Sequence, residues 1–150
     1  MMRSLAPVVF FAYNRPDHTR QVLESLYRNK YADESRLWIY VDGPKAGASE
    51  ETRSAIAEVK KAVREKKWCK EVTIIEAEVN KGLVRSTTEG VTKLVNEFGK
   101  VIVMEDDNLV SPGFLTYMND ALDLYEHNPR VMHISAYVRP DLATDAVKES

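Results

Sequence analysis

The sequence has one cysteine in 150 residues, Cys69, so it can form neither an intrachain disulfide nor a zinc site built from several thiolates. No histidine stands near Cys69 to activate it, and the residue reads as a small buried hydrophobe rather than a catalytic thiol. Long apolar runs are absent too; the longest near the start, Val8 to Ala12, falls far short of the roughly 20 residues that span a bilayer. That run ends in Tyr13-Asn14-Arg15-Pro16 instead of a small-residue cleavage site, so it is expected to be a buried strand and not a secretion signal. Charge of one sign is lacking: 21 basic and 23 acidic side chains give a net charge of −2, which provides no basic field for nucleic acid. Both familiar glycine loops are missing. Without Gly-x-x-x-x-Gly-Lys the chain is not a P-loop nucleotide hydrolase, and without Gly-x-Gly-x-x-Gly after the first apolar run a dinucleotide oxidoreductase is disfavoured. What remains, at 44% hydrophobic residues, is a chain too apolar to be disordered and long enough to bury one core. The expected protein is a reduced, cytoplasmic, globular domain covering residues 1–150.

Two periodicities alternate along the chain. Short apolar runs rich in β-branched and aromatic residues occur at Pro7–Ala12, Leu37–Val41, Val72–Ile75, Val101–Met104 and Val131–Ile134, and read as strands covered on both faces. Between them lie helical stretches. Pro16 to Lys30 has proline at its first position and Val22, Leu23, Leu26 and Tyr27 on one face. Ser49 to Lys67 has a serine cap with two acids behind it, and Leu83 to Phe98 stops before Gly99. A fourth helix is expected from Ser111-Pro112, with Leu115, Met118, Leu122 and Tyr125 along one stripe. Trp68 is expected to pack at the end of the second helix. The mixed Lys60-Lys61, Arg64 and Lys66-Lys67 cluster reads as a solvated face. His133 reads as a core histidine, His18 and His127 as solvent-facing, and no histidine pair has metal-ligand spacing. The alternation predicts an α/β fold: a doubly wound, mostly parallel sheet with helices on both faces.

Such sheets bind ligands at the carboxyl ends of their strands. Those ends carry Asn14-Arg15, Asp42-Gly43-Pro44, Asn80-Lys81-Gly82 and Glu105-Asp106-Asp107-Asn108. Three consecutive carboxylates after an apolar run repel one another, and either a helix cap or a divalent cation relieves them. Ser111-Pro112 already offers a helix start, which favours the cation, and hard oxygen ligands suit magnesium or manganese. Asp42 is either a turn former or a ligand acceptor. Asn80-Lys81-Gly82 is either a simple helix entry or a phosphate contact, made by backbone amides with Lys81 or Arg85.

The ordered set Pro-Val-Val-Phe-Phe-Ala-Tyr-Asn-Arg-Pro at 7–16, Val-Asp-Gly at 41–43, Asn-Lys-Gly-Leu at 80–83 and Val-Ile-Val-Met-Glu-Asp-Asp at 101–107 resembles the donor half of a GT-A glycosyltransferase, over about Pro7 to Tyr137. The Glu-Asp-Asp form followed by Ser-Pro-Gly-Phe-Leu-Thr-Tyr-Met is similar to the family 2-like and N-acetylglucosaminyltransferase I-like bacterial sugar transferases. The resemblance implies transfer of a sugar from a nucleotide-diphosphate sugar, with UDP as the nucleotide, to an acceptor hydroxyl on a carbohydrate or lipid-linked acceptor in polysaccharide synthesis. It implies Mn2+ or Mg2+ as cofactor, and neither a nucleic-acid partner nor a transmembrane segment. By position, Ala12, Tyr13, Asn14 and Arg15 would line base and ribose, and Asp42 would accept a hydrogen bond from the base. Gly43, Asn80 and Gly82 would complete the nucleotide-sugar site, and Arg85 would stand near base or phosphates. Asp107 would coordinate the metal, with Glu105 and Asp106 holding ribose hydroxyls or metal-bound water.

Glutamate replaces the commoner aspartate as first acid of the triplet. The family's acceptor-binding section usually carries the catalytic base; Asp141 and Asp145 do not match that base, and Glu149 is a further carboxylate near the end. The expectation is therefore a nucleotide-sugar-binding portion, truncated before its acceptor section, that binds donor and transfers sugar slowly or not at all. The alternatives are a sugar-nucleotide nucleotidyltransferase, which would want a glycine-rich basic loop after the first strand, and a non-catalytic nucleotide-binding or receiver-like α/β domain. A receiver would need acids after the first and third strands, where arginine and asparagine stand.

Overall fold

The computed structural model of the chain describes residues 3–136. Tyr137, Asp141, Asp145 and Glu149 lie outside the described residues. The elements run β1 (Val8–Ala12), α1 (Pro16–Tyr27), a 3-10 turn (Ala32–Glu34), β2 (Arg36–Val41), α2 (Glu50–Ala62), β3 (Glu71–Glu76), α3 (Leu83–Phe98), β4 (Ile102–Glu105) and α4 (Phe114–Tyr125). The four strands form one sheet in the order β3-β2-β1-β4, every pairing parallel.

Strand alternation splits the core between the two faces of the sheet. Val8, Phe10 and Ala12 of β1 join Leu23 and Leu26 of α1, Ile56 and Val59 of α2, and Leu115 and Met118 of α4 on one face. Val9 and Phe11 point the other way, onto Leu94 of α3. Right-handed crossovers produce this placement: the chain steps outward from β1 to β3 on one face and must return over the other to reach β4. The doubly wound α/β fold with helices on both faces is therefore present.

Local chemistry sets the ends of the elements. Ser49 caps α2, its hydroxyl accepting from the Thr52 amide at 3.1 Å, while α3 ends where Gly99 takes the left-handed conformation at φ 80°. Trp68 is buried after α2 and donates from Nε1 to the Val63 carbonyl at 2.9 Å. Cys69 is buried as expected, and burial pushes its thiol up to about 12.

Two expectations are corrected. The helix expected from Ser111-Pro112 begins at Phe114, with Gly113 at the cap position. Its amide donor is satisfied from afar: buried Asn29, just past α1, accepts from the Leu115 amide and donates to the Ser111 carbonyl, both at 2.9 Å. The fifth strand expected at Val131–Ile134 does not form, and residues 131–136 are irregular. Asn128 takes over the local backbone there, accepting the Val131 amide on its carbonyl and the Arg130 amide on its side chain, both at 3.0 Å. Met132 is 95% exposed, and His133 is exposed rather than a core residue.

Candidate functional site

Because all four strands are parallel, their carboxyl ends lie along one rim, which encloses a cavity of about 390 Å3. Ala12, Tyr13, Asn14 and Arg15 line it from the end of β1, and Asp42 from the end of β2. Asn80 and Gly82 line it ahead of α3, and Glu105, Asp106 and Asp107 at the end of β4. Gly43 and Arg85 are not in its wall.

Gly43 serves from behind. A β-carbon there would stand 2.7 Å from the Ala77 carbonyl oxygen and from backbone atoms of Val79, so only glycine lets the β3–α3 loop lie against the β2 end. Asp42 fastens the same two segments. Its Oδ1 accepts from the Gly43 amide at 2.8 Å and the Lys81 amide at 2.9 Å, and its Oδ2 from the Asn80 side-chain amide and the Gly82 amide, each at 3.1 Å. Asn80 adds a bond to the Gly43 carbonyl at 3.0 Å. Gly82 sits at φ 81° and ψ 156°, a region open in practice to glycine alone, and turns the chain into α3.

The acidic triplet divides. Asp106, 7% exposed, accepts from Arg15 Nη2 at 2.6 Å, which ties the ends of β1 and β4 together. Glu105 and Asp107 have no basic partner among the described residues; Asp107 accepts only from the Asn108 side chain, at 2.9 Å. On the opposite wall Glu89 bridges Lys81 and Arg85, both at 2.9 Å, and those two cations, Lys81 foremost, hold its carboxyl below the usual range. Arg85 is thus paired with Glu89 and does not itself line the cavity.

Sequence reasoning missed Phe11, Tyr40, Lys45, Glu76, Ser86 and Glu89, all of which line the cavity. Burial raises the Tyr40 hydroxyl above its ordinary value, a shift that nearby Lys81 opposes and Glu89 reinforces. Only Lys45 carried a signal, standing just beyond Asp42-Gly43-Pro44.

Among the described residues six carboxylates and three cations line the cavity, Asp42, Glu76, Glu89, Glu105, Asp106 and Asp107 against Arg15, Lys45 and Lys81; Lys60 and Arg64 behind Glu76 and Arg85 behind Glu89 compensate those two acids, so the uncompensated charge lies at Glu105 and Asp107. A diphosphate approaching Glu105 and Asp107 is repelled unless a cation accompanies it. Among the described residues no three acids, histidines or cysteines converge into a closed metal cage. The unpaired Glu105 and Asp107 instead fit an open site of the kind magnesium and manganese use, in which one or two carboxylates hold the ion and substrate phosphates complete its shell. A larger concavity, about 1300 Å3, adjoins the rim between α3, β4 and α4, where its walls include Val103, Leu109 and Leu122; Glu105 borders both spaces.

The sequence profile described as glycosyl transferase family 2 matches residues 8–140, a span that takes in every strand and the whole rim. The chain belongs to glycosyl transferase family 2. The family 2 domain is similar in structure to S. aureus TarS, with a TM-score of 0.53 and 13% identity, over 82% of this chain and 20% of that one. A second structure, S. aureus TarS 1-349, aligns at TM-score 0.49 and 12% identity, over 90% of this chain and 40% of that one. This chain therefore spans a fifth to two fifths of the length of those structures, and the likeness at TM-score 0.53 shows the shared GT-A fold. No curated protein matches. No helix among the described residues is long and apolar enough to cross a membrane.

Proposed function

We propose that this family 2 domain binds a nucleotide-diphosphate sugar, with uridine as the nucleoside, together with Mn2+ or Mg2+, and that it serves transfer of the sugar to a hydroxyl of a carbohydrate or lipid-linked acceptor in polysaccharide assembly. The observation that carries the reading is the pair of carboxylates at the end of β4, Glu105 and Asp107, which line the cavity and have no basic partner among the described residues. Asp107, aided by Glu105, would hold the metal. When bound, the ion neutralises the diphosphate and the charge that develops on the leaving nucleotide.

The chain's own groups do the rest. Tyr13 and Asn14 border the nucleoside. Arg15 is held in place by Asp106 and, with Lys45 and Lys81, offers positive charge toward the phosphates. The β1–β4 tie and the Asp42 latch keep these groups in fixed positions, so little ordering cost falls on donor binding. Removal of the acceptor proton is assigned to no carboxylate of this rim. Glu76 is paired with Lys60 and Arg64, Glu89 with Lys81 and Arg85, Asp106 with Arg15, and the Asp42 oxygens are occupied.

The test is thermal unfolding of the chain with UDP, nucleoside triphosphates or acetyl phosphate, each with and without manganese. UDP with manganese at about a hundredfold its dissociation constant should add about 2.7 kcal/mol, a rise of roughly 5–11 °C. Stabilisation by triphosphates alone would favour nucleotidyl transfer, and stabilisation by acetyl phosphate a receiver-like domain; either result would displace the proposal.

A further inference from the structure

The cations that line the cavity are held with unequal firmness. Arg15 is bonded to Asp106, whose side chain is only 10% exposed, so moving Arg15 away would strand a buried carboxylate. Lys81 is bonded to Glu89 at 2.9 Å, and those two side chains are 38% and 45% exposed. An ion pair so open to water is weak and exchanges readily.

Lys81 is also built to change partners. Its amide is fixed to Asp42 Oδ1 at 2.9 Å, so the ammonium can swing on its four-carbon stem while the loop stays in place. Glu89 is not abandoned when Lys81 leaves. Lys81 uses Glu89 Oε2, and Arg85, one turn earlier on α3, donates from Nε to Oε1 at 2.9 Å. Lys81 and Glu89 both line the cavity, whereas Arg85 does not. The Tyr40 hydroxyl, on the same wall, feels the charges of both Lys81 and Glu89.

A diphosphate is the stronger claimant on an ammonium. It carries more negative charge than one carboxylate and offers more acceptor oxygens to the three ammonium protons. Binding a diphosphate at Lys81 therefore means taking the ammonium from Glu89, and the strength of the Lys81–Glu89 pair is subtracted from donor affinity.

We infer that Glu89 is an internal competitor for the donor: it holds Lys81 until the diphosphate takes the ammonium over, and Arg85 is the positioning residue that keeps Glu89 paired afterwards. The inference rests on the donor-binding reading above and names the exchange that sets donor affinity.

The experiment is calorimetric titration of the full chain, with manganese at physiological ionic strength, against UDP, pyrophosphate and uridine. Glu89→Gln should tighten UDP and pyrophosphate by about threefold, the factor an ordinary exposed ion pair represents. Uridine, which has no phosphate, should bind as it does to wild type. Lys81→Ala should weaken UDP and pyrophosphate by about tenfold, the scale of one hydrogen bond to a charged group. In that background Glu89→Gln should change UDP affinity little, since no ammonium remains to be released. Arg85→Ala leaves Glu89 to Lys81 alone, so it should weaken UDP by about threefold, and Arg85→Ala/Glu89→Gln should abolish that loss. Unfolding midpoints should stay near wild type throughout, because these side chains are exposed. A wild-type chain that binds neither UDP nor pyrophosphate would remove the donor reading and this inference together. If the wild type binds, this inference alone is overturned by any of three results: no gain in Glu89→Gln, a gain that persists in full without Lys81, or uridine affinity that follows UDP affinity.

Discussion

Replacing Gly82 by alanine isolates the backbone geometry on which the rim depends. At φ 81° and ψ 156° the residue occupies a region that side chains avoid, while a β-carbon added there would meet nothing within 4 Å. The cost of Gly82→Ala is therefore conformational strain without a clash, in the range of about 1–3 kcal/mol. Near the middle of that range, about 2 kcal/mol, the unfolding midpoint of a chain this size falls by roughly 4–8 °C. If the loop rearranges to escape the strain, the Gly82 amide leaves Asp42 Oδ2 and the start of α3 shifts with it. Stability and nucleotide affinity should then fall together. Gly113→Ala is the control: its φ of −93° is ordinary and nothing lies within 4 Å, so its effect should stay within about 0.5 kcal/mol. Urea unfolding measures both variants, with unchanged slopes confirming that the transition is comparable. Equal midpoints for wild type and Gly82→Ala, with nucleotide affinity intact, would refute the claim that this conformation holds the rim.

Three further outcomes are expected. Gly43→Ala should lower stability by at least 1 kcal/mol, by analogy with overpacking costs of about 1–3 kcal/mol, because its β-carbon meets backbone at 2.7 Å; denaturant unfolding reads the loss. Arg15→Ala should cost about 1–3 kcal/mol by leaving the buried Asp106 carboxylate without its partner, and Arg15→Ala/Asp106→Asn should recover part of that loss in the same assay. Cys69 has an ordinary value of 9.0 and a folded value of about 12, so above pH 9 the unfolded chain releases a proton that the folded chain keeps. Its contribution is complete below pH 9 and declines as pH rises toward 12, so between pH 8 and 10.5 wild-type stability should fall more steeply than that of Cys69→Ala.

The fold was legible where local signals and packing agree. In α3, apolar spacing and a left-handed Gly99 point to the same boundaries, Leu83 and Phe98. The start of α4 was misread because its cap comes from Asn29, more than eighty residues earlier, a contact without a local signature. Val131–Ile134 was misread because a four-residue apolar run is a weak strand signal and the Asn128 turn claims its first amide. At the site, strand ends pointed to the rim, and the acids of β4 stand on it. What the sequence hid depends on orientation. Tyr40 alternates within β2 like any half-buried position, Ser86 is an unmarked serine in a helix, and Lys81, in the loop ahead of α3, lines the cavity while Arg85, on α3, does not.

The central claim is that the acidic end of β4 recruits a metal-accompanied nucleotide diphosphate. Calorimetric titration of UDP into the chain, with manganese and then with a chelator, measures it directly when repeated on Asp107→Asn. Asp107 carries no ion pair among the described residues, so the substitution removes charge and leaves the fold's other contacts in place. The account predicts binding that requires manganese and that weakens at least tenfold in Asp107→Asn, about 1.4 kcal/mol, with unfolding near wild type. Equal manganese-dependent affinity in the two proteins, or wild-type UDP binding indifferent to the chelator, would contradict it.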